Sequence, residues 1–215
     1  MINNIKSKEP LEGILKNNIL KFDDYLISMR KYAIENNVPI IKDDGLIFLK
    51  QIIKLSNAKE ILEVGTAIGY SAINMASLNA HITTIERDEK MYNMAIENIN
   101  NTNNKENIDV IFGDALEVYD KIKNKNFDLI FIDAAKGQYK KFFELYTPLL
   151  NKNGIVVCDN MTFHNLLDAD TSNMSRSLRG LVNKLKMFTD YLLDNDDFET
   201  SIYNIGDGIA ISIKK

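Results

Sequence analysis

The sequence predicts an α/β fold, and three observations lead to this prediction. Short apolar runs bounded by glycine or acidic residues alternate with helical patterns through the middle of the chain, which is typical of a parallel sheet covered on both faces. Two final strands joined by a short turn form an antiparallel hairpin. The first 55 residues have helical spacing throughout. We therefore expect a Rossmann-like doubly wound, mostly parallel seven-stranded sheet with N-terminal helices and a C-terminal antiparallel hairpin.

The N-terminal helices follow from the spacing of apolar residues. Apolar side chains recur at helical intervals from Phe22 to Ala33, and Pro39 follows the end of that helix. A second helix is expected from about Asp43, a plausible N-cap, through Leu46, Leu49 and Ile53.

The sheet is read from the apolar runs that follow. The predicted parallel strands are Glu60–Val64, His81–Glu86, Ile108–Phe112, Phe127–Asp133 and Gly154–Cys158. Between them we expect helices from near Tyr70, after an Asp88 cap, near residues 115–122, and along Phe142, Leu145, Tyr146 and Leu149. A long helix over residues 175–194, with Leu178, Leu181, Val182, Leu185, Phe188 and Leu192 inward, precedes the hairpin strands Glu199–Ile205 and Gly208–Ile213.

Length and composition indicate one ordinary globular domain over residues 1–215, in which residues 1–55 form a helical cap. Apolar residues make up 45% of the chain, no run is long enough to span a membrane, and the N-terminus lacks a signal peptide's apolar stretch. The single Cys158 excludes an intramolecular disulfide framework and a Cys-rich zinc site. We expect a soluble, cytoplasmic protein without a membrane partner.

The charge is unevenly distributed along the chain. The net charge of −4 argues against a globally basic nucleic-acid binder. Residues 1–21 nevertheless carry +2 and residues 171–189 carry +4, so the remainder is strongly acidic. These two basic segments could hold a polyanion or could be ordinary solvated helix faces, and the sequence favours neither.

Ligands of such sheets bind beyond the carboxyl ends of the strands, so the residues at those positions are the informative ones. The stretch from Glu63 to Ser71 carries Gly65 and Gly69, which allow a tight turn and a close approach of a ligand, although an ordinary strand–helix turn is an equal alternative. It lacks the dinucleotide fingerprint and the lysine of a phosphate loop. Glu86 could bind the two hydroxyls of a ribose or serve as a helix-dipole partner, and Asp114 could cap a helix or face an adenine.

Asp133 follows the fourth strand, and Asp159 and Asn160 follow the fifth. Neighbouring parallel strands would bring these oxygen ligands together, which favours a hard divalent cation such as Mg²⁺ over two separate helix caps. Lys136 lies three residues beyond Asp133 and could act on a hydroxyl proton, although a surface lysine is the alternative.

Other reactive or conspicuous residues have simpler interpretations. We expect Cys158 to be buried and inert, His81 to lie at the surface and Gly206–Gly208 to be only the hairpin turn. His164 could reach the site from four residues beyond Asn160.

Together these residues resemble the cation-dependent class I S-adenosylmethionine-dependent O-methyltransferases, a family that includes catechol and caffeoyl-CoA O-methyltransferases. The resemblance runs from about Ile40 to the C-terminus. The stretches GTAIGYSA, FIDAAKGQY, Asp159-Asn160 and GDGIAIS look most similar to the bacterial tRNA 5-hydroxyuridine methyltransferases within that family.

The resemblance implies a role for each matching residue. Glu63, Gly65, Thr66 and Ser71 would line the methionine end of S-adenosylmethionine, Ile40 would contact it from the preceding loop, and Asp133 would border it. Glu86 would bind its ribose, and Asp114 with Ala115 would flank its adenine. Asp133, Asp159 and Asn160 would hold Mg²⁺, Lys136 would be the base, and the enzyme would be a homodimer.

Three functions remain open from the sequence. The first is methylation of the 5-hydroxyl of 5-hydroxyuridine at the wobble position of a tRNA anticodon loop, which the closest motif resemblance favours. The second is O-methylation of small catechol-like molecules, which the acidic body and the modest arginine count favour. The third is a non-catalytic cofactor-binding module, which a missing acid among the cation ligands would have supported; none is missing.

Overall fold

The computed structural model describes residues 23–161 and 174–215. The basic segment 1–21, Phe22 and His164 lie outside the described residues, so the expectations placed on them stay predictions. The chain divides into two compact units, residues 1–38 and 39–215, and the prediction of one domain over the whole chain is not tested by this division. In the described part, no helix is both long enough and apolar enough to cross a membrane.

The described part of the first unit contains one helix, α1, which spans Asp24–Glu35. The side chain of Asp23 accepts a hydrogen bond from the backbone N–H of Tyr25 at 2.9 Å and caps the helix. Leu26, Met29 and Ala33 are buried, as their helical spacing predicts.

The second unit is built around a seven-stranded sheet. Its strands are β1 Glu60–Val64, β2 His81–Glu86, β3 Ile108–Phe112, β4 Phe127–Ile132, β5 Leu150–Cys158, β6 Phe198–Tyr203 and β7 Ile209–Lys214. Its helices are α2 Asp43–Ser56, α3 Tyr70–Ala76, α4 Glu89–Asn100, α5 Tyr139–Tyr146 and α6 Arg176–Leu193.

The strand order is β3-β2-β1-β4-β5-β7-β6, in which β1 to β5 run parallel and β7 is antiparallel to both its neighbours. The predicted fold class is therefore confirmed. The order reverses between β1 and β4, which is where an open α/β sheet forms its ligand crevice. Val64 pairs with Ile132, and Ile132 pairs with Cys158, so β1, β4 and β5 end at the same level.

The long helix α6 is anchored by an aromatic cluster. The ring of Phe188 lies 5.8 Å from that of Tyr139 and 6.1 Å from that of Phe143, edge to face in both pairs. Val182, Leu185 and Leu192 are buried on the same stripe, whereas Leu178 and Leu181 are only half-buried. The helix thus packs against α5 and the turn that precedes α5.

The predicted helix over residues 115–122 is wrong. The segment forms a turn followed by a short 3-10 helix at Tyr119–Lys121. The side chain of Asp114 accepts the N–H of Leu116, and the Asp114 carbonyl accepts the N–H groups of Glu117 and Val118. This local bonding competes with a continuous helix.

Several element ends differ from the prediction. Asp43 is not the N-cap of α2: Lys42 holds that position without a side-chain cap, and Asp43 lies in the first turn. Strand β5 begins earlier than predicted, at Leu150. In the hairpin, β6 ends at Tyr203 and β7 begins at Ile209, because Gly206–Gly208 occupies the turn between them.

Candidate active site

A cavity of about 300 Å³ lies at the carboxyl ends of the parallel strands. This volume is at the small end of the range for sites that bind organic ligands. The walls are mainly apolar, with a few polar groups. Of the residues singled out from the sequence, those that line the cavity are Ile40, Gly65, Thr66, Ser71, Glu86, Asp114, Ala115, Asp133, Lys136 and Asn160.

Gly65 allows the end of β1 to cross close to β4. Its φ is +102°, and a Cβ at this position would lie 2.1 Å from the carbonyl oxygen of Asp133. No L side chain fits such a gap, since the opposing atom belongs to the backbone. The glycine therefore permits the close approach of two strand ends that forms the floor of the crevice.

The carboxylate of Glu86 is held rigidly at one side of the cavity. One oxygen accepts the N–H of Ala67, and the other accepts the N–H groups of Arg87 and Asp88, each at 2.8 Å. Three backbone donors fix its orientation toward the cavity. Such an oriented acceptor is suited to a diol on a ligand, the role expected of this residue.

Glu63 lies beneath the cavity and does not line it. Its side chain is completely buried. With Glu63 ionised, the hydroxyl of Thr66 donates to that of Thr84, which donates to Glu63 Oε2, each at 2.6 Å. Glu63 Oε1 makes no hydrogen bond within the described residues. Burial raises the pKa of Glu63 to about 8, although the hydroxyls of Ser71 and Thr84 favour its charge.

The opposite wall contains Asp114 and Ala115. Asp114 forms a turn with the Leu116 N–H and lies 3.5 Å from the guanidinium of Arg87. The carbonyl of Ala115 accepts a hydrogen bond from the buried hydroxyl of Tyr146. Asp114 therefore shapes a turn, so the helix-capping role expected as one alternative is wrong; it also borders the cavity, and its place beside an adenine stays a prediction.

The structure brings together the three predicted oxygen ligands. The Asn160 side-chain amide donates to Asp133 Oδ1 at 2.8 Å, and its backbone N–H donates to Asp159 Oδ1 at 2.7 Å. Asn160 has a φ of +62°, a left-handed conformation that asparagine tolerates better than most residues. Burial raises the pKa of Asp133 and of Asp159, and mutual repulsion adds to the rise at Asp159.

Lys136 begins a short 3-10 turn, Lys136–Gln138, which leads into α5 and places the lysine at the cavity. Burial lowers its pKa, and the charges of Asp207, Asp133 and Asp159 oppose this effect. A lysine with a lowered pKa is better suited to accept a proton near neutral pH.

Sequence reasoning missed several residues at this edge. Tyr70, Arg87, Met91 and Phe142 line the cavity, and their apolar or surface-like patterns carried no signal for it. Asp207 lies in the hairpin turn and pairs with Lys42 at 2.7 Å. The presence of an acid between two glycines was the available signal, but it fits an ordinary turn equally well.

The residues with simpler interpretations are placed as follows. Cys158 is buried in β5, as expected, and burial raises the pKa of its thiol, which disfavours the reactive thiolate. His81 is half-buried at the start of β2, where its ring lies 3.0 Å from Asp109, away from the cavity.

The fold and the site define an α/β protein with a cavity at the switch point of its sheet, lined in part by Asp133 and Asn160. The profile of the O-methyltransferase family matches residues 21–215, so the chain belongs to this family.

The individual relatives agree with this assignment. The chain is 28% identical over 190 residues to caffeoyl-CoA O-methyltransferase of Populus kitakamiensis, covering 85% of this chain and 80% of the relative. It is 32% identical over 148 residues to catechol O-methyltransferase of Niastella koreensis, covering 65% of this chain and 66% of the relative. A Staphylococcus aureus protein provisionally assigned as a caffeoyl-CoA O-methyltransferase has a crystal structure that superposes with a TM-score of 0.90 at 39% identity, covering 95% of this chain and 98% of that chain.

Proposed function

We propose that this protein transfers a methyl group from S-adenosylmethionine to the 5-hydroxyl of 5-hydroxyuridine in tRNA, with the help of Mg²⁺, to give 5-methoxyuridine. The observation that carries the proposed chemistry is that Asp133, Asn160 and Lys136 line the strand-end cavity, while Asp159, which does not line it, accepts the backbone N–H of Asn160. Two solved relatives contain S-adenosylmethionine or its demethylated product, which supports the choice of methyl donor.

The cavity residues fit the proposed donor. Glu86, oriented by three backbone N–H groups, would accept hydrogen bonds from the ribose hydroxyls. Asp114 and Ala115 would flank the adenine, while Ile40, Gly65, Thr66, Ser71 and Asp133 would border the methionine portion. Glu63 would act from below the cavity floor: a cationic ligand would favour loss of the proton that burial keeps on its carboxyl group, and the resulting negative charge would attract that ligand without contact.

The donor set at the cavity mouth fits a hard cation. Two carboxyl groups whose charge is penalised by burial and repulsion would regain it beside a divalent ion. Asn160 would turn its amide so that Oδ1, rather than the nitrogen that now donates to Asp133, points to the ion. Bound Mg²⁺ would supply positive charge that orients two adjacent acceptor oxygens and lowers the pKa of the hydroxyl.

Lys136 would take the proton of the acceptor hydroxyl. Its lowered pKa suits this role, and its place at the cavity would bring it near the methyl group of a donor bound there. The rest of the catalysis would be positioning, since attack of an anion on a cationic sulfonium loses charge in the transition state and needs no oxyanion pocket.

The acceptor's chemistry is compatible with RNA, and one feature of the structure supports RNA as its source. The uridine derivative presents its 5-hydroxyl beside the O4 carbonyl oxygen, which is a pair that one cation can chelate. Helix α6 carries Arg176, Arg179, Lys184 and Lys186 and no acid before Asp190, and its Lys184 lies against the turn that contains the proposed base. We also propose a homodimer, which light scattering would test.

A small catechol-like acceptor is the second candidate, and the named activities of the relatives favour it. A catechol presents two adjacent hydroxyls and would use the same cation and base. The two candidates therefore differ in what lies outside the reacting ring, and not in the chemistry.

The test is a comparison of RNA from cells with and without this protein. Total RNA is digested, and its nucleosides are measured by mass spectrometry. Loss of 5-methoxyuridine with accumulation of 5-hydroxyuridine is the expected result, and re-expression of the wild type should reverse it where the Lys136→Ala variant does not. An unchanged nucleoside profile would contradict the tRNA proposal and favour the catechol alternative.

A further inference from the structure

The turn Gly206–Gly208 lies at the same edge of the sheet as the proposed cation site. Because β7 runs antiparallel to β5, with Ala210 paired to Cys158, the start of β7 lies beside the end of β5. The carbonyl of Gly208 accepts the N–H of Met161 at 2.8 Å, and Met161 follows Asn160 directly. The turn is therefore bonded to the segment that carries two of the three proposed cation ligands.

The same turn is attached to the segment that enters α2. Asp207 forms an ion pair with Lys42 at 2.7 Å, and the Gly206 N–H donates to the side chain of Asp44 at 2.9 Å. The Asp207 side chain is only 14% exposed, whereas that of Lys42 is 51% exposed. A largely buried carboxylate whose ion-pair partner Lys42 is half exposed keeps much of its field inside the protein.

We propose that Asp207 is an outer carboxylate of the cation site, which strengthens the hold of the Asp133–Asp159–Asn160 cluster on a divalent cation, and that Lys42 is the counter-charge that limits this effect. The inference rests on the proposed function. Asp207 is a positioning residue and would not touch the reacting atoms.

The electrostatic connection supports the geometry. The charge of Asp207 raises the pKa of Asp133 and of Asp159, so its field reaches both carboxyl groups. It also acts on Lys136, on which Lys42 has the opposite effect. A charge that resists ionisation of the two ligands in the absence of an ion attracts a divalent cation by the same field.

The test is calorimetric titration of the whole protein with MgCl₂, without methyl donor or acceptor. Asp207→Asn should weaken Mg²⁺ binding by about 3- to 10-fold, because a negative charge that attracts the cation from outside its ligand shell is lost. Lys42→Met should tighten it by roughly 2- to 5-fold, because the carboxylate then lacks its counter-charge. The double variant should return close to the wild-type affinity. All three changes should shrink at high ionic strength.

The opposite signs separate this role from a merely structural one. If the ion pair only held the turn in place, both single variants would weaken Mg²⁺ binding, and that result would overturn the proposal. Lys42→Arg should behave as the wild type, and Asp120→Asn, which removes an exposed carboxylate paired with Lys123, serves as the matched control. Melting curves of each variant show whether it is folded.

The failure of this inference can be distinguished from that of the cation site. A wild-type protein that binds no Mg²⁺ overturns the site and the inference with it. If the wild type binds Mg²⁺, and this binding is lost in Asp159→Ala but unchanged in Asp207→Asn, only the inference about Asp207 is overturned.

Discussion

Gly65 and Gly180 differ in how much space is available for an added side chain. A Cβ at Gly65 would meet the Asp133 carbonyl oxygen at 2.1 Å, while a Cβ at Gly180, inside α6, would have no atom within 4 Å. Gly65 also has a φ that L residues rarely adopt, whereas Gly180 is helical.

Gly65→Ala should therefore destabilise the protein by about 3 kcal/mol or more, because two backbones must separate. Gly180→Ala should stabilise it by about 0.5–1 kcal/mol, because alanine is the better helix former. Chemical denaturation of both variants measures the difference. A Gly65→Ala variant as stable as the wild type would show that the strand ends do not meet so closely.

The raised pKa of Glu63 makes the stability of the protein depend on pH. Its pKa is raised in the folded state to about 8, so the folded protein keeps a proton that the unfolded chain releases above about pH 4.5. Unfolding therefore becomes easier as the pH rises between these values, and this contribution is constant above about pH 8.

Glu63→Gln should remove this part of the pH dependence. At each pH, the free energy of unfolding of the variant is compared with that of the wild type. This difference should shift in favour of the variant by a few kcal/mol between about pH 5 and about pH 8, because any effect of the new amide itself is the same at both pH values. Urea denaturation of the ligand-free proteins at both pH values gives the two differences. Glu97→Gln, on α4 and outside the cavity, is the control. An equal difference at both pH values would contradict a buried, protonated Glu63.

Among the elements of the fold, the ends of the parallel strands carry the residues of the proposed chemistry. The carboxyl ends of β4 and β5 place Asp133 and Asp159 side by side, and the register of the sheet sets their level. In the proposed binding mode the ribose and adenine contact other residues, Glu86 at the end of β2 and Asp114 after β3.

Asp159→Ala should consequently lower the rate of methyl transfer at least about 100-fold. The affinity for S-adenosylmethionine should stay within about 2-fold of the wild type. Turnover assays and calorimetric titration of the donor measure the two quantities. Full activity of the variant in the presence of a chelator would refute metal-assisted transfer.

Helix α6 brings one basic side chain next to the turn that contains Lys136, the proposed base. The Lys184 ammonium lies 3.6 Å from the position that a Cβ of Gly137 would occupy, next to Lys136. The other basic residues of the helix are spread over its remaining exposed surface, and Lys186 lies on the opposite flank.

Lys184→Ala should raise the KM for an anticodon stem-loop about 5- to 10-fold with little change in kcat, and should lower the slope of log K against log salt by about 1. Lys186→Ala is the matched control, and Lys184→Arg should restore binding. Equal effects of the two alanine variants would show that no phosphate lies beside the turn Lys136–Gln138.

The whole molecule carries a net charge of −4, with positive charge concentrated at residues 171–189 and 1–21. An acidic protein that binds RNA must rely on a small number of phosphate contacts, which salt weakens. A catechol makes no such contacts, because its reacting ring carries no phosphate.

Salt should therefore separate the two candidate acceptors. Raising the salt from about 50 to about 200 mM should lower kcat/KM for a stem-loop by at least 10-fold and change catechol turnover less than 2-fold. Steady-state assays on both acceptors measure the effect. A stem-loop reaction as insensitive as the catechol reaction would mean that the acceptor is not held through its backbone.

Much of the fold could be predicted because its elements are encoded locally. Strands β1, β2 and β3 have the predicted bounds, since apolar runs of that length, closed by glycine or an acid, have few other stable forms. The Asp88 cap of α4 is confirmed for the same reason: its side chain accepts the N–H of Met91, three residues away. The helix expected over residues 115–122 is wrong because the turn at Asp114 overrides a helical pattern.

The doubly wound sheet, its hairpin and the set of polar residues at its carboxyl edge could be inferred from the sequence alone, because strand ends and side-chain types are local properties. Three features needed the folded structure: Glu63 lies under the cavity floor, Asn160 hydrogen-bonds to both Asp133 and Asp159, and Asp207 pairs with Lys42, 165 positions away along the chain. The physical reason is that burial and charge depend on which segments meet in space, and pairing of distant residues leaves no periodic signal in either segment.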